Sequence, residues 1–291
     1  EFIGNLNVNF CAKCFSAQIN LLYSRDEMFV DYYYLSSVNQ GLVDHFSALA
    51  KYIKSFDFVV DIGSNDGVLL QHLKSQGSRF LGVDPSINVG GIANQRGLTT
   101  EIGFFDQDMV KKIEEKYGNP DCIVASSVVT HMENPQEFFE NCARLLAPTG
   151  TLIVEVEYLD SILKKSEFER FYFDRPYYYS ISSLDYLAEK SGLLINKVTE
   201  INQHGGSIRI EFTHKGRKKL PSKYARHSME NEQKTLAENV ISFQSRVCQQ
   251  TQELHDFLLK TKDSGKEILA YGCPARFATI TNFANLDEKL I

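Results

Sequence analysis

The chain has 291 residues, enough for one large domain or two ordinary ones, and 43% hydrophobic with 23% charged residues is the composition of a globular protein with a sizeable core. A net charge of −6 speaks against nucleic acid as the main partner, because phosphate binding needs a basic surface; the short basic cluster "KGRKK" at 215–219 reads as a solvated loop. No apolar run approaches the roughly eighteen residues of a membrane span, and "EFIGNLNVNF" has no basic stretch leading into an apolar core, so neither a membrane segment nor a signal peptide is expected and a cytoplasmic location is the default.

Residues 1–30 read as irregular and rich in asparagine. They carry "CAKC", Cys11 and Cys14, a knuckle that can present two thiolates to one metal ion. Four-coordinate zinc needs a second pair, and none follows, so a metal half-site, a redox pair and an incidental pair all stay open. The other four cysteines, Cys122, Cys142, Cys248 and Cys273, read as buried thiols.

From Asn39 to Ser55, apolar residues at Leu42, Phe46, Leu49 and Ile53 have helical spacing. A regular alternation then begins. "FDFVVDIG" is a buried strand and "GVLLQHLKSQG" a helix closed by Gly77. "RFLGVDPS" is a second strand, with a helix to about Gly97. "LTTEIGFF" is a weaker third strand, followed by a helix capped by Asp106. "DCIVASSVV" and "GTLIVEVEYL" are the fourth and fifth strands, separated by the helix of "NPQEFFENCARLLAPTG". Short apolar strands alternating with amphipathic helices imply an α/β fold: a parallel sheet with helices on both faces. One more helix follows at "SSLDYLAEKSG". "LLINKVTEIN" and "GGSIRIEFTHKG" then read as an antiparallel pair. The polar stretch from Lys223 to about Lys262 has heptad-like apolar residues and reads as one long helix. "KEILAYGCPARFATITNF" restarts a strand–glycine turn–helix pattern, a single unit that cannot close a sheet, so the sequence reads as cut short at that end.

The turn after the first strand, "GSNDG", carries the functional signal. Ligands of an open parallel sheet sit at the carboxyl ends of its strands, near the topological switch point. Gly63 there lets a ligand approach the backbone. The loop is neither G-x-G-x-x-G nor a Walker A sequence and has no lysine for a phosphate. Asp66 would repel a pyrophosphate but suits a cation, and Asp84, ending the second strand, can accept hydrogen bonds from ribose hydroxyls. Together with Asn65 and Gly67 these residues suit S-adenosylmethionine. The bland alternative is a flavodoxin-like domain with a tight turn at Gly63.

The order of motifs resembles the S-adenosylmethionine-dependent C-methyltransferases of sugar nucleotides, enzymes that build C-methyl-branched deoxysugars from 4-keto-6-deoxyhexose nucleotides. "YYYLSSVNQGLVDHF" is similar to that family's segment before the first strand, and "IGSNDGVLL" to its cofactor loop. "VVTHMEN" is similar to its strand-four turn, and "HGGSIRI" and "YGCPAR" to its later signatures. The resemblance implies a class I methyltransferase Rossmann-like sheet flanked by a zinc-knuckle module and a C-terminal Rossmann-like domain, both partial here. Residues 1–37 would be the remnant of the first, with Cys11 and Cys14 its second knuckle. Residues 38–215 would be the methyltransferase domain, 216–262 a linking helix, and 263–291 the start of the nucleotide-binding domain.

By the same resemblance His131 and Tyr172 handle protons at the reacting carbon. "FYFDRPYYYS" departs from the family's Tyr-His-Glu-His stretch: Asp174 replaces the glutamate, and Phe173 and Arg175 replace the histidines, the second of which is implied to be the base. A guanidinium stays protonated and cannot take that role. Either His131, Tyr172 or Asp174 serves as base, or the acceptor differs, or methyl transfer is lost. Arg175 could stabilise an enolate or bind an anionic group. Ser126 and Ser127 stand where the family tends to carry asparagine. His204, Ser207 and Arg209 are expected to face substrate, with Gly205 and Gly206 admitting a ligand close to the backbone. Tyr271 and Arg276 are expected at the nucleotide diphosphate, and Tyr34 and Tyr178, from two tyrosine clusters, at a sugar pocket. Three functions therefore stay open: methylation of carbon in a keto-deoxysugar nucleotide, methylation of oxygen or nitrogen in a related small molecule, and ligand binding without turnover.

Overall fold

The computed structural model describes residues 6–20, 22–216, 223–272, 274–288 and 290. Its first elements are a hairpin of β1 (Val8–Phe10) and β2 (Ala17–Ile19), where the sequence reads as irregular. The CAKC turn closes it, with Cys11 N donating to the Ser16 carbonyl and Phe15 N to the Cys11 carbonyl. Strands of three residues are too short to show a period-2 pattern, so only the pairing reveals them. α1 (Arg25–Phe29) and a connecting segment that ends in a 3-10 turn (Ser36–Val38) lead to α2 (Gln40–Tyr52), whose N-terminus is capped by the Asn39 side chain accepting from Leu42 N.

The alternation expected from the sequence then follows: β3 (Phe58–Ile62), α3 (Val68–Ser75), β4 (Arg79–Asp84), α4 (Ile87–Gln95), β5 (Thr100–Ile102), α5 (Gln107–Lys116), β6 (Cys122–Ser126), α6 (Pro135–Leu145) and β7 (Thr151–Glu157). Asp106 caps α5 by accepting from Met109 N, as its position before an amphipathic run predicts. Beyond β7 come α7 (Leu159–Lys165), β8 (Tyr177–Tyr178), α8 (Ile181–Lys190), β9 (Leu193–Ile201) and β10 (Ser207–His214). The seven-stranded sheet runs β5-β4-β3-β6-β7-β10-β9, parallel except for β10, which is antiparallel to both neighbours. The strand order reverses between β3 and β6, and this switch point places the site.

Two apolar layers sandwich the sheet. Val60, Ile123 and Val154 pack with Phe138, Phe139 and Leu184 of α6 and α8; on the other face Val59, Val124 and Ile153 pack with Leu49, Leu70 and Leu73 of α2 and α3. These strands are apolar on both faces because helices cover both. The 41-residue α9 (Lys223–Asp263) lies against α7 and α8 and buries Leu236 and Val247.

Two expectations fail here. Residues 266–272 form no strand; α10 (Ala275–Phe283) follows them directly. Among the described residues no strand lies beside this stretch to share its backbone hydrogen bonds, and Leu269 is 83% exposed. Cys248 is exposed rather than buried, because it lies off the packed stripe of α9; Cys122 and Cys142 are buried, and Cys273 lies outside the described residues. Of the basic cluster, residues 217–219 also lie outside them. No described helix is long and apolar enough to cross a membrane.

Candidate active site

A cavity of about 980 Å³ opens at the carboxyl ends of β3, β4, β6 and β7, at the switch point. One part of its wall is the loop after β3. Gly63 adopts φ 71°, and a Cβ there would lie 2.8 Å from the Val128 side chain, so the glycine also admits a neighbouring residue of the protein. Asp84 ends β4. One of its oxygens accepts from Asn65 N at 2.8 Å and the other from Ser86 N at 2.9 Å. Burial nonetheless raises its carboxyl above the usual range, against those two bonds. Asp61 lies on the same wall, and burial, then the charges of Asp84 and Glu155, push it well up. Sequence reasoning missed Asp61. Its signal was being the single acid inside an otherwise apolar buried strand.

Ser64 Oγ is enclosed with no hydrogen-bond partner. That orphaned hydroxyl and the Asp61 and Asp84 carboxyls line one cavity, and with no lysine among the described lining residues the set fits a cationic, hydroxyl-bearing nucleoside and not a pyrophosphate. The residues present therefore fit S-adenosylmethionine.

The remaining loop residues are placed differently from expectation. Asn65, at φ 51°, lines the cavity, but its amide is taken up by the backbone of residues 34–36. Asp66 is 0% exposed and lies off the cavity wall. It pairs with Arg96 at 3.1 Å and accepts from Ser37 N, so its charge is answered inside the protein and not by a ligand. Gly67 also lies off the wall, against Leu98 at the start of α3.

The lining also gathers Tyr34, His131, Tyr172, Asp174, Arg175, His204 and Ser207 from four stretches of the chain. His131 Nδ1 bonds the Asp174 main-chain carbonyl. A carbonyl only accepts, so Nδ1 carries the proton and Nε2 keeps its lone pair. Burial, then the Arg175 charge, push the imidazole down to about 4, leaving it neutral near pH 7. Burial raises the Asp174 carboxyl to about 6, against the pull of Arg175, and its Oδ1 is enclosed without a donor. Burial also raises the Tyr172 phenol, which keeps it protonated. Arg175 is bonded to Glu157, its guanidinium 5.0 Å from the Tyr172 ring centroid. His204, in a left-handed conformation, faces Ser127 Oγ at 3.4 Å.

Four expected substrate residues lie elsewhere. Tyr178 is buried, its hydroxyl donating to the Arg170 carbonyl. Arg209 sits behind the wall, bonded to Glu155 at 2.6 Å. Tyr271 is fully exposed, and Arg276 pairs with Glu169 at 3.4 Å. Gly205 and Gly206 admit protein and not ligand: added Cβ atoms would lie 2.5 Å from Arg170 Nη2 and from Ser161 Oγ. At φ 140°, Gly206→Ala is expected to cost about 1–3 kcal/mol of stability, read as a lower urea midpoint at unchanged m-value. Sequence reasoning also missed the Glu155 cluster. This buried carboxylate on the cavity wall takes His45 Nε2 at 2.7 Å, Ser126 Oγ at 2.6 Å and the Arg209 guanidinium.

At the hairpin, Cys14 Sγ lies 3.2 Å from Ser16 Oγ, and backbone bonds from Cys14 and Lys13 lower the Cys11 thiol. Two sulfurs do not make a closed tetrahedral zinc site, and among the described residues no three His, Cys, Asp or Glu side chains converge to hold a metal.

Residues 34–198 match the methyltransferase domain family, and residues 202–291 match the C-methyltransferase C-terminal domain. The C-methyltransferase NovU of Streptomyces niveus is 30% identical over 214 residues, 72% of this chain and 51% of that protein, so the chain spans about half of this relative's length. A ubiquinone biosynthesis O-methyltransferase of Coxiella burnetii is 28% identical over 165 residues, 50% of this chain and 67% of that protein. The solved magnesium protoporphyrin IX methyltransferase of Synechocystis PCC 6803 with bound SAH overlays with a TM-score of 0.47 at 20% identity, covering 60% of this chain and 83% of that one. The sheet is the class I methyltransferase Rossmann-like sheet.

Proposed function

The chain belongs to the methyltransferase domain family, and on that premise we propose that it transfers a methyl group from S-adenosylmethionine to a carbon atom of a keto-deoxysugar nucleotide. The match of residues 202–291 to a C-methyltransferase domain and the likeness to NovU support carbon as the acceptor; the motif order supports the sugar nucleotide. The observation that carries the choice of carbon is Asp174, a carboxylate on the cavity wall with its pKa raised to about 6. Removing a proton next to a ketone calls for a base of that kind.

S-adenosylmethionine, when bound, would supply an electrophilic methyl group on a sulfonium, the broken methyl–sulfur bond leaving its electron pair on the neutral thioether of S-adenosylhomocysteine. Asp61, Ser64 and Asp84 would hold the cofactor, the carboxyls facing its positive charge and hydroxyls. Asp174 accepts the proton from the carbon beside the ketone, and the C–H electron pair passes into the enolate. Arg175, next in sequence and fixed by Glu157, offsets the negative charge growing on the enolate oxygen. His131, neutral and aimed by the Asp174 carbonyl, offers Nε2 to a substrate hydroxyl. Once the new C–C bond has formed, Asp174 passes its proton to water.

Incubation with S-adenosylmethionine carrying a deuterated methyl group and a panel of nucleoside-diphosphate 4-keto-6-deoxyhexoses tests this directly. A mass gain on the sugar that survives acid hydrolysis is expected; a gain located on oxygen or nitrogen overturns the carbon assignment. Asp84→Asn is expected to weaken S-adenosylmethionine binding about tenfold in calorimetric titration, through loss of charge-assisted hydrogen bonding.

Arg175 also favours a second reading, methylation of oxygen or nitrogen, because it replaces the base implied by the motif. The two separate on one measurement: only a carbon acid exchanges its α-hydrogen for solvent deuterium when S-adenosylmethionine is withheld.

A further inference from the structure

α1 and the segment that joins it to α2 line the cavity and are tied down at three places. At the β6 side, Phe29 meets the His131 ring edge-on with centroids 5.4 Å apart, and Arg25 N donates to Glu133 at 3.0 Å. In the middle, Ser86 Oγ donates to the Phe29 carbonyl at 2.7 Å and Ile87 N to the Val30 carbonyl at 2.9 Å. Asn88 there holds both main-chain polar groups of Tyr32, accepting from its N–H at 3.1 Å and donating to its carbonyl at 2.7 Å. At the β3 side, the Asn65 amide accepts from Ser36 N at 2.8 Å and donates to the Tyr34 carbonyl at 3.0 Å, while Asp66 accepts from Ser37 N at 3.2 Å. Between these ties Tyr32, Tyr33, Tyr34 and Ser36 face the cavity.

None of residues 22–40 is buried. Hydrogen bonds and ring contacts hold this strap, not a core, and such segments open at low cost in free energy. The two ends of Asn65 serve different partners. Its backbone N–H is fixed by Asp84, the acid facing the cofactor's hydroxyls, while its side chain holds the strap. A ligand that steadies Asp84 therefore steadies the residue that closes the roof.

We propose that Asn65 and Asp66 are positioning residues, a latch that closes residues 29–38 over the cofactor end of the cavity, and that cofactor enters and leaves when this latch opens. The proposal rests on the cofactor reading above. It gives Asn65 and Asp66 of the "GSNDG" turn a role their sequence position does not suggest: they hold the roof, while Asp61, Ser64 and Asp84 hold the ligand.

Two variants release the strap while keeping Asp61, Ser64 and Asp84. Asn65→Gly keeps the left-handed backbone and loses both strap bonds; Asn88→Ala releases the Tyr32 main chain from an exposed helix position. Dissociation of radiolabelled S-adenosylhomocysteine, chased with unlabelled ligand, is expected to quicken about five- to tenfold in each. Hydrogen exchange of amides 30–38 should quicken in both variants, with β3 and β6 unchanged, and bound S-adenosylhomocysteine should slow it in the wild type. Wild-type dissociation rates in both variants, or strap exchange that neither variant alters, overturn the latch while leaving the cofactor reading intact. A wild-type protein that retains no S-adenosylhomocysteine overturns both.

Discussion

Asp174→Asn is expected to lower kcat on a carbon-acid substrate by about 10²–10⁴-fold, the usual contribution of a positioned general base. Binding of S-adenosylhomocysteine should stay near wild type, because Asp174 is not among the groups proposed to hold the cofactor, Asp61, Ser64 and Asp84. In the wild type, kcat/KM should rise with pH through about 6, where Asp174 loses its proton. His131 adds no second inflection there, since it is already neutral above about 4. An asparagine variant with wild-type turnover, or a profile flat between pH 5 and 7, removes Asp174 from the chemistry. The same substitution should stabilise the fold. Between the ordinary aspartate value of 3.8 and about 6, the folded protein holds a proton that the unfolded chain has released. The contribution of this carboxyl is thus favourable at low pH and is lost as pH rises through 6. At pH 7.5 the asparagine variant should therefore be more stable by about 1–2 kcal/mol, after allowance for partial solvent screening. Higher stability with lost turnover is the pattern of a group kept for function.

Glu155→Ala should have the largest effect on stability, a loss of about 3–5 kcal/mol read from the urea midpoint. Glu155 is 2% exposed and is the ion-pair partner of Arg209 as well as the acceptor for His45 and Ser126. Burial pushes its carboxyl up, but His45, Arg209 and Ser126 together outweigh this and hold it below the usual glutamate value. The cluster's contribution is therefore present at neutral pH and lost on acidification below the ordinary glutamate pKa. Removing the carboxylate leaves the Arg209 guanidinium enclosed without a counter-charge. Glu155→Gln keeps the acceptor oxygen and should cost less. Equal losses in the two variants would mean that packing, not charge, holds the cluster.

The family signal and the site diverge at one turn. Gly63 and Asp84 stand on the cavity wall as their positions at the ends of β3 and β4 imply, because strand ends are set by local sequence and a parallel sheet places them side by side. Asn65 and Asp66 come from the same five residues and face other ways. Their direction depends on Arg96, thirty residues on, and on a strap thirty residues before, neither of which a local motif encodes. The strand expected at 266–270 fails for a related reason: its apolar pattern is real, but no described neighbour completes its ladder.

What the sequence determined by itself was the order and kind of the central elements: apolar runs of strand length, amphipathic helices between them, and an acid ending the second strand. These follow from side-chain patterning within a few residues, and so do the caps at Asn39 and Asp106. Tertiary structure alone decided which polar groups share a space. It set Asp174 beside His131, joined His45 of α2 to Glu155 of β7, and turned Tyr178 and Arg209 away from the cavity. Burial and charge are properties of neighbours distant in the chain. The pKa that equips Asp174 as a base therefore arises only when the sheet and its loops bring those neighbours together.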